Sequence, residues 1–397
     1  MKLTFDEDVE AFRAEFRAWL ADNRPSDDEI AAEPAVSSAH IPGWARRWTR
    51  RMFDHGWLVP GWPPERGGRN ASPIETLVCF EELTLAGVAR TTNPQGLGIV
   101  APSIFDFGNE AQIERYAMPI LHGERSACLG MSEPGAGSDL ASLTTRAVLD
   151  GDRFVINGQK VWTSGANYAD FCFLFARTDP AAPKHKGISV ILVDMDTPGV
   201  TVRPLPHITQ PEHPDLNEVF FDDVVVSTRN LLGELNNGWA MASGSLAHER
   251  GMVWVGTAMD LEATFRRLVG EAREMLPRLD EAERAVVTDQ IVRCYVDARA
   301  AKCLGYRGFA KLVRGGDAPE QALMKVFCSE SQRRLYLVAS EMLADRAIDV
   351  FDAGGGRGGN RAWMELYFAQ FGGTISAGTS EIQRNIIAER VLGLPRS

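Results

Sequence analysis

No stretch of this chain approaches the ~18 to 20 consecutive apolar residues of a membrane-spanning helix. The opening Met1-Lys-Leu-Thr-Phe-Asp-Glu-Asp8 also lacks the basic-then-apolar order of a secretory signal. A cytoplasmic protein without a membrane span is expected. Cysteine is scarce as well. The six cysteines, at positions 79, 128, 172, 294, 303 and 328, form no CxxC pair and have no histidine at ligand spacing. That pattern supports neither a zinc site nor a disulfide framework and leaves them as core thiols. Cationic charge is in deficit, with 42 Lys and Arg against 53 Asp and Glu, a formal net charge of -11 and a pI near 5.3. Nonspecific nucleic-acid binding rests on neutralising phosphates, so no nucleic-acid partner is expected. The basic run Arg46-Arg-Trp-Thr-Arg-Arg51 reads as the charged face of a helix with a buried tryptophan.

What is present is an ordinary soluble composition, 45% hydrophobic and 24% charged, over 397 residues. That length accommodates two or three domains and a large core. The apolar period divides the chain into three. Over 1–125 it is helical: Thr4-x-x-Glu7 reads as a capping box ahead of Val9, Phe12, Phe16 and Leu20 on one face, and Ile74 to Leu85 and Gln112 to Ile120 fit helices. Over 126–235 the signal is strands and turns. Asp150-Gly151 and Asn157-Gly158 predict tight turns among the β-rich runs Phe154 to Ile156, Phe171 to Phe175, Ile188 to Val193 and Val219 to Phe221. Over 236–397 helical periodicity returns, including Ala298 to Val313, Ala322 to Leu343 and a last helix through Ile382, Ile386 and Ile387. Gly354-Gly-Gly-Arg-Gly-Gly359 predicts a loop within it.

The segment Ser132-Glu-Pro-Gly-Ala-Gly-Ser-Asp139 is glycine-rich, yet it matches neither the GxGxxG nor the GxxxxGK[ST] phosphate pattern. Gly135 and Gly137 permit close backbone approach to a ligand, and Ser132 and Ser138 offer hydroxyl and amide donors to an anionic or carbonyl-rich group. A plain turn between strands would have the same composition. Its companions in order are more specific: Lys160-Val-Trp-Thr-Ser-Gly165, and Gly378-Thr-Ser-Glu-Ile-Gln-Arg-Asn-Ile-Ile-Ala-Glu-Arg-Val-Leu-Gly-Leu-Pro395.

Together these segments resemble the signature regions of the acyl-CoA dehydrogenase family of flavoenzymes, and the resemblance covers nearly the whole chain. It implies a multi-domain α+β fold in which a small middle β-barrel separates an N-terminal helical domain from a C-terminal helical bundle. It implies FAD as cofactor, an acyl-CoA substrate converted to the trans-2-enoyl-CoA, and an electron-transfer flavoprotein as electron acceptor. Met131, Ser132, Gly137, Ser138, Trp162, Ser164, Thr379 and Glu381 are the positions it places at the flavin, with Trp162 beside the ring edge; Ser138 and Arg250 fall at the substrate. For Trp162 the plain alternative is a core tryptophan.

The α,β-dehydrogenation of a thioester needs three groups to converge: a carboxylate to take the α proton, a flavin to accept the β-hydride at N5, and hydrogen-bond donors where enolate charge develops on the thioester oxygen. Ala377 stands where many members of the family carry the glutamate base, and Phe371 to Ala377 contains no acidic residue. The backbone N–H of Ala377 survives as an oxyanion donor. Some relatives place the base on a helix early in the C-terminal domain, directly before an arginine; Glu249-Arg250 occupies that place, which makes Glu249 the expected proton acceptor. An ion pair is what most adjacent Glu and Arg residues form instead. His248 reads as a solvated or capping residue.

The chain also departs from the family. The Arg-x-x-Phe-Gly arginine that reaches the FAD diphosphate of a neighbouring subunit has no counterpart in Glu271 to Arg284, which offers Arg273, Arg278 and Arg284 without a Phe-Gly. The altered glycine run from Gly354 to Asn360 is a second departure. Both resemble the heteromeric branch known from degradation of sterol side chains, so a homotetramer or a heterotetramer with a same-fold subunit is expected. A flavin monooxygenase of the same fold and a non-catalytic partner subunit are the competing functions.

Overall fold

The structure is a computed structural model that describes residues 5–209, 212–241, 250–315, 320–347 and 362–395. Thr4, His248, Glu249 and the glycine run at 354–359 lie outside the described residues, and so do the expectations placed on them. The chain divides into two compact units, one of Met1–Arg17, Leu77–Val88 and Arg250–Ser397 and one of Ala18–Thr76 and Ala89–Glu249.

The first unit is helical. Its long elements are Arg250–Met275, Glu281–Val313 and Glu320–Leu343, followed by the shorter Trp363–Ile375 and Ser380–Ile386. Asp280 starts the second of these with a capping box, its side chain accepting from the Glu283 amide while Glu283 reaches back. The core joins Leu261 and Leu268, Cys294, Ala298 and Ala301, and Cys328, Leu335 and Ala339. The alanines at helical spacing allow the three long helices to approach closely before larger side chains interdigitate. Near the chain start, Glu82 is 4% exposed and accepts from Arg13 and Arg17. Burial raises its pKa, but the two guanidiniums outweigh it and hold the carboxyl below its usual range.

The second unit carries an eight-stranded mixed sheet of order β6-β7-β3-β2-β4-β5-β8, with β1 beside β4. The strands are β1 (Ala127–Gly130), β2 (Arg146–Asp150), β3 (Arg153–Lys160), β4 (Phe171–Arg177), β5 (Ile188–Asp194), β6 (Val200–Pro204), β7 (Asn217–Ser227) and β8 (Leu231–Leu232). Phe154 and Ile156, Cys172 and Leu174, Ile191 and Val193, and Val219 and Phe221 alternate into one core, as a period of two requires. The helix Gly43–Asp54 carries the basic run on its outer face, with Trp48 buried and stacked on Trp19.

Two expectations need correction. Asp150-Gly151 makes the β2–β3 hairpin, with Gly151 at φ 64°, but Asn157-Gly158 is no turn: it sits inside β3, at an irregularity in the pairing with β7. Asn157 is held in the sheet by its side chain, which donates to the Asp223 carboxylate and accepts from the Asp223 amide, both at 3.0 Å. Gly158 is there because a Cβ would lie 2.5 to 2.7 Å from Thr145 atoms. Among the cysteines, Cys303 is exposed, whereas the other five are buried.

Candidate active site

The 131–139 segment leaves β1 and turns at once. Glu133 and Ala136 exchange backbone hydrogen bonds of 2.9 and 3.1 Å, which puts Pro134 and Gly135 at the tip. A Cβ on Gly135 or on Gly137 would meet nothing within 4 Å, so neither glycine is demanded by the chain around it. Gly137 and Ser138 are exposed, while Met131 and Ser132 are half-buried.

Beneath this turn lies a charged pair that sequence reasoning missed. The Glu133 carboxylate accepts from the Thr144 amide (2.6 Å) and hydroxyl (2.7 Å), the Thr145 amide (2.8 Å) and Lys160 Nζ (2.8 Å). Lys160, fully buried at the end of β3, donates also to the Met131 carbonyl at 3.0 Å. Burial pushes Glu133 up, but Lys160 and the threonine donors prevail and hold it at about 2. Burial pulls the Lys160 ammonium down while Glu133 pulls it up. The donors converging on Glu133 decide the balance for the ionised pair. The available signal was a single lysine at the end of a β-strand, with a lone glutamate inside a glycine-rich turn.

Two residues beyond Lys160, Trp162 adopts φ 59° and is 61% exposed. A bulky side chain in the left-handed region is a strained one, and it persists only where neighbours over-determine it. They do here. The Val161 amide donates to Ser132 O (2.9 Å), the Thr163 amide to Asn217 O (3.0 Å) and the Gly165 amide to Asp215 O (2.7 Å), and Asn217 Nδ2 donates to Thr163 O (3.1 Å). Asp215 is itself anchored, accepting from Ser37 and Ser38. The core reading of Trp162 is therefore wrong: the backbone is bent to hold the indole out of the core. Next to it the Thr163 hydroxyl is buried with no hydrogen-bond partner among the described residues, and the Ser164 carbonyl accepts from Gln95 Nε2 at 3.3 Å.

In the helical unit, Ala377 sits at φ 53° between the helices Trp363–Ile375 and Ser380–Ile386. Its carbonyl accepts from Gln383 Nε2, and its N–H has no acceptor among the described residues. Thr379 uses its hydroxyl as the N-cap, accepting from the Ile382 amide at 3.2 Å, and Glu381 is exposed beside Arg384. Ser380, which sequence reasoning passed over, is buried and donates to Glu330 at 2.9 Å. Arg250 opens the helix Arg250–Met275. Of the three arginines proposed for an anion, Arg284 is committed to the Leu276 and Leu279 carbonyls (3.0 and 2.9 Å), whereas Arg273 and Arg278 are exposed. Among the described residues no group of His, Cys, Asp and Glu could hold a metal, and no helix is long and apolar enough to cross a membrane.

A helical, then β, then helical order with these two segments defines a class, and comparison with known proteins agrees. Family models for the acyl-CoA dehydrogenase N-terminal, middle and C-terminal domains match residues 6–124, 128–224 and 236–392. The chain is 36% identical to the acyl-CoA dehydrogenase IpdE1 of Mycobacterium tuberculosis, across 98% of this chain and 99% of that one. It is similar to the Tcur3481-Tcur3483 steroid ACAD with a TM-score of 0.83 at 30% identity, and to the ChsE4-ChsE5 complex from M. tuberculosis with a TM-score of 0.80 at 31% identity, 100% of each chain being covered in both cases. The chain belongs to the acyl-CoA dehydrogenase family and is an oxidoreductase of that kind.

Proposed function

We propose that the chain carries out FAD-dependent α,β-dehydrogenation of an acyl-CoA thioester, with Glu249 as the proton acceptor. The observation that carries the cofactor reading is Trp162. An exposed indole on a strained, well-anchored backbone, next to a buried Thr163 hydroxyl without a partner among the described residues, is a flat apolar surface with polar groups at its edge, and such a surface fits the ring system of FAD. Bound there, FAD supplies the acceptor for the β-hydride. Met131, Ser132, Gly137, Ser138, Trp162, Ser164, Thr379 and Glu381 are the residues proposed to hold it. Thr379 contributes through its backbone, since its hydroxyl oxygen already caps a helix.

The chain's own part in the reaction is orientation and proton management. The Ala377 N–H, lacking an acceptor among the described residues, is proposed to donate to the thioester oxygen, lowering the cost of enolate charge. Ser138 and Arg250 are proposed to orient the CoA ester. Glu249 takes the α proton, a role that requires a carboxylate sheltered from water so that its affinity for protons rises. The likeness to a steroid ACAD and to the ChsE4-ChsE5 complex motivates a bulky, steroid-type acyl group and a two-component assembly, and membership of the family motivates an electron-transfer flavoprotein as acceptor. Measuring products distinguishes the rivals: an enoyl-CoA formed without oxygen supports dehydrogenation, whereas oxygen consumption with a hydroxylated product supports a monooxygenase.

If Glu249 and a loop glutamate reach the same α-carbon from different anchors, Ala377→Glu in a Glu249→Gln background should recover part of the lost activity with an altered chain preference. The check is enoyl-CoA formation across a panel of acyl chain lengths. Recovery of hydroxylation instead would contradict the shared-carbon reading.

Assembly gives a further test. A buried diphosphate without a paired cation loses several kcal/mol of effective hydration. With Arg284 occupied, Arg273 and Arg278 are the arginines nearest in sequence that could substitute, and a partner's cation is the alternative. The expected result of native mass measurement is a flavin-poor species when the chain is expressed alone, gaining FAD on co-expression with a same-fold partner. A homotetramer with one FAD per subunit, losing FAD on Arg273→Ala, would instead assign the role to this chain.

A further inference from the structure

We infer that Glu133 and Lys160 are positioning residues whose buried pair locks the 131–139 turn to the strand end that carries Trp162. This rests on the flavin reading proposed above. The two segments are tied at three points: Lys160 Nζ to the Met131 carbonyl (3.0 Å), Lys160 Nζ to Glu133 (2.8 Å) and the Val161 amide to Ser132 O (2.9 Å). Glu133 extends the tie to the Thr144 and Thr145 amides, which lead into β2.

A pair of apolar side chains would fill the same volume, and burying an ion pair is frequently no more stabilising than that. What apolar side chains lack is the ability to bond irregular backbone. Met131 O and the amides of Thr144 and Thr145 lie in segments outside the strands, where no ladder supplies partners, and buried backbone groups must find them. The pair provides those bonds, and in doing so sets the spacing between Met131-Ser132 and Trp162. Neither residue need touch the cofactor. Each acts through the backbone it holds.

The test uses the full chain, with its same-fold partner where FAD loading requires one, and two variants. Lys160→Met strands the Glu133 charge and puts folding at risk, so Glu133→Gln/Lys160→Met, which removes both charges, is measured beside it. The readouts are FAD affinity of the apoprotein, the visible absorption of the bound flavin, the thermal midpoint of the apoprotein, and amide exchange at Thr144, Thr145 and Val161. For the double variant we expect a folded protein whose midpoint falls less than that of Lys160→Met, FAD affinity weaker by on the order of 10- to 100-fold, a displaced flavin absorption band, and faster exchange at the three amides. Parental FAD affinity and spectrum in a folded double variant would overturn the inference and leave the pair a purely structural one. If the parent itself binds no FAD under any condition, the flavin reading fails, and amide exchange alone then judges this one: unchanged protection overturns it.

Discussion

Glu249→Gln should lower turnover with the best acyl-CoA by on the order of 10² to 10⁴. Glutamine retains the size and hydrogen bonding of the residue and removes only its capacity to accept a proton. FAD content should stay at the parent level, because no cofactor contact is assigned to Glu249. Loss of rate with intact flavin would therefore identify general-base chemistry. The loop that in many relatives contributes the base ends here in Ala377, whose side chain has no proton acceptor, so the reaction needs a carboxylate from elsewhere. Near-normal turnover of the Gln variant would show that the base is another group. A non-catalytic subunit would give the same indifference even in the FAD-loaded complex with its same-fold partner.

The second large effect concerns stability. Lys160→Met alone should destabilise the fold by about 3–5 kcal/mol, the range for removing one partner of a buried pair and leaving the other uncompensated. The pH dependence has a definite sign. Glu133 is held at about 2, against an ordinary 4.5, so the stability it contributes is fully present above 4.5 and lost as pH falls from there towards 2. In Lys160→Met the carboxylate has lost its strongest reason to stay ionised, so acidification over that window should cost the variant less than it costs the parent. Denaturant unfolding at neutral pH and again at about pH 3.5 measures both quantities. Equal acid sensitivity of the two proteins would mean that the pair is not ionised as the geometry indicates.

Much of this was legible in the chain itself. The continuous apolar runs of β4 and β5, buried on both faces, and the long 3.6 period after residue 250 reflect burial, a property each segment states locally. Trp48 inside a basic run followed from the same logic. What misled was chemistry set by distant partners. Asn157-Gly158 has the composition of a hairpin turn, yet Asp223, far along the sequence, captures the asparagine and Thr145 demands the glycine. Nothing near Trp162 in the sequence announces a left-handed backbone, because Ser132, Asp215 and Asn217 impose it from other segments. Glu133 and Lys160 were readable as charged residues but not as partners, since only the parallel placement of β1 beside β4 and the return of β3 bring them together. The two signature segments were recognisable as family segments by their residue order, whereas Ser380 and Arg284, whose roles lie in bonds to Glu330 and to helix-end carbonyls, carry no local mark.

The central claim is that this chain takes two electrons from an acyl-CoA thioester. It is tested most directly by mixing the purified yellow protein anaerobically with acyl-CoAs ranging from butyryl to steroid-derived. Bleaching of the flavin with stoichiometric enoyl-CoA, by at least one thioester and with preference for the bulky ones, is the predicted result. A loaded flavoprotein that stays yellow with every thioester, or that bleaches only with a separate reductant and then consumes oxygen to hydroxylate a substrate, would contradict it.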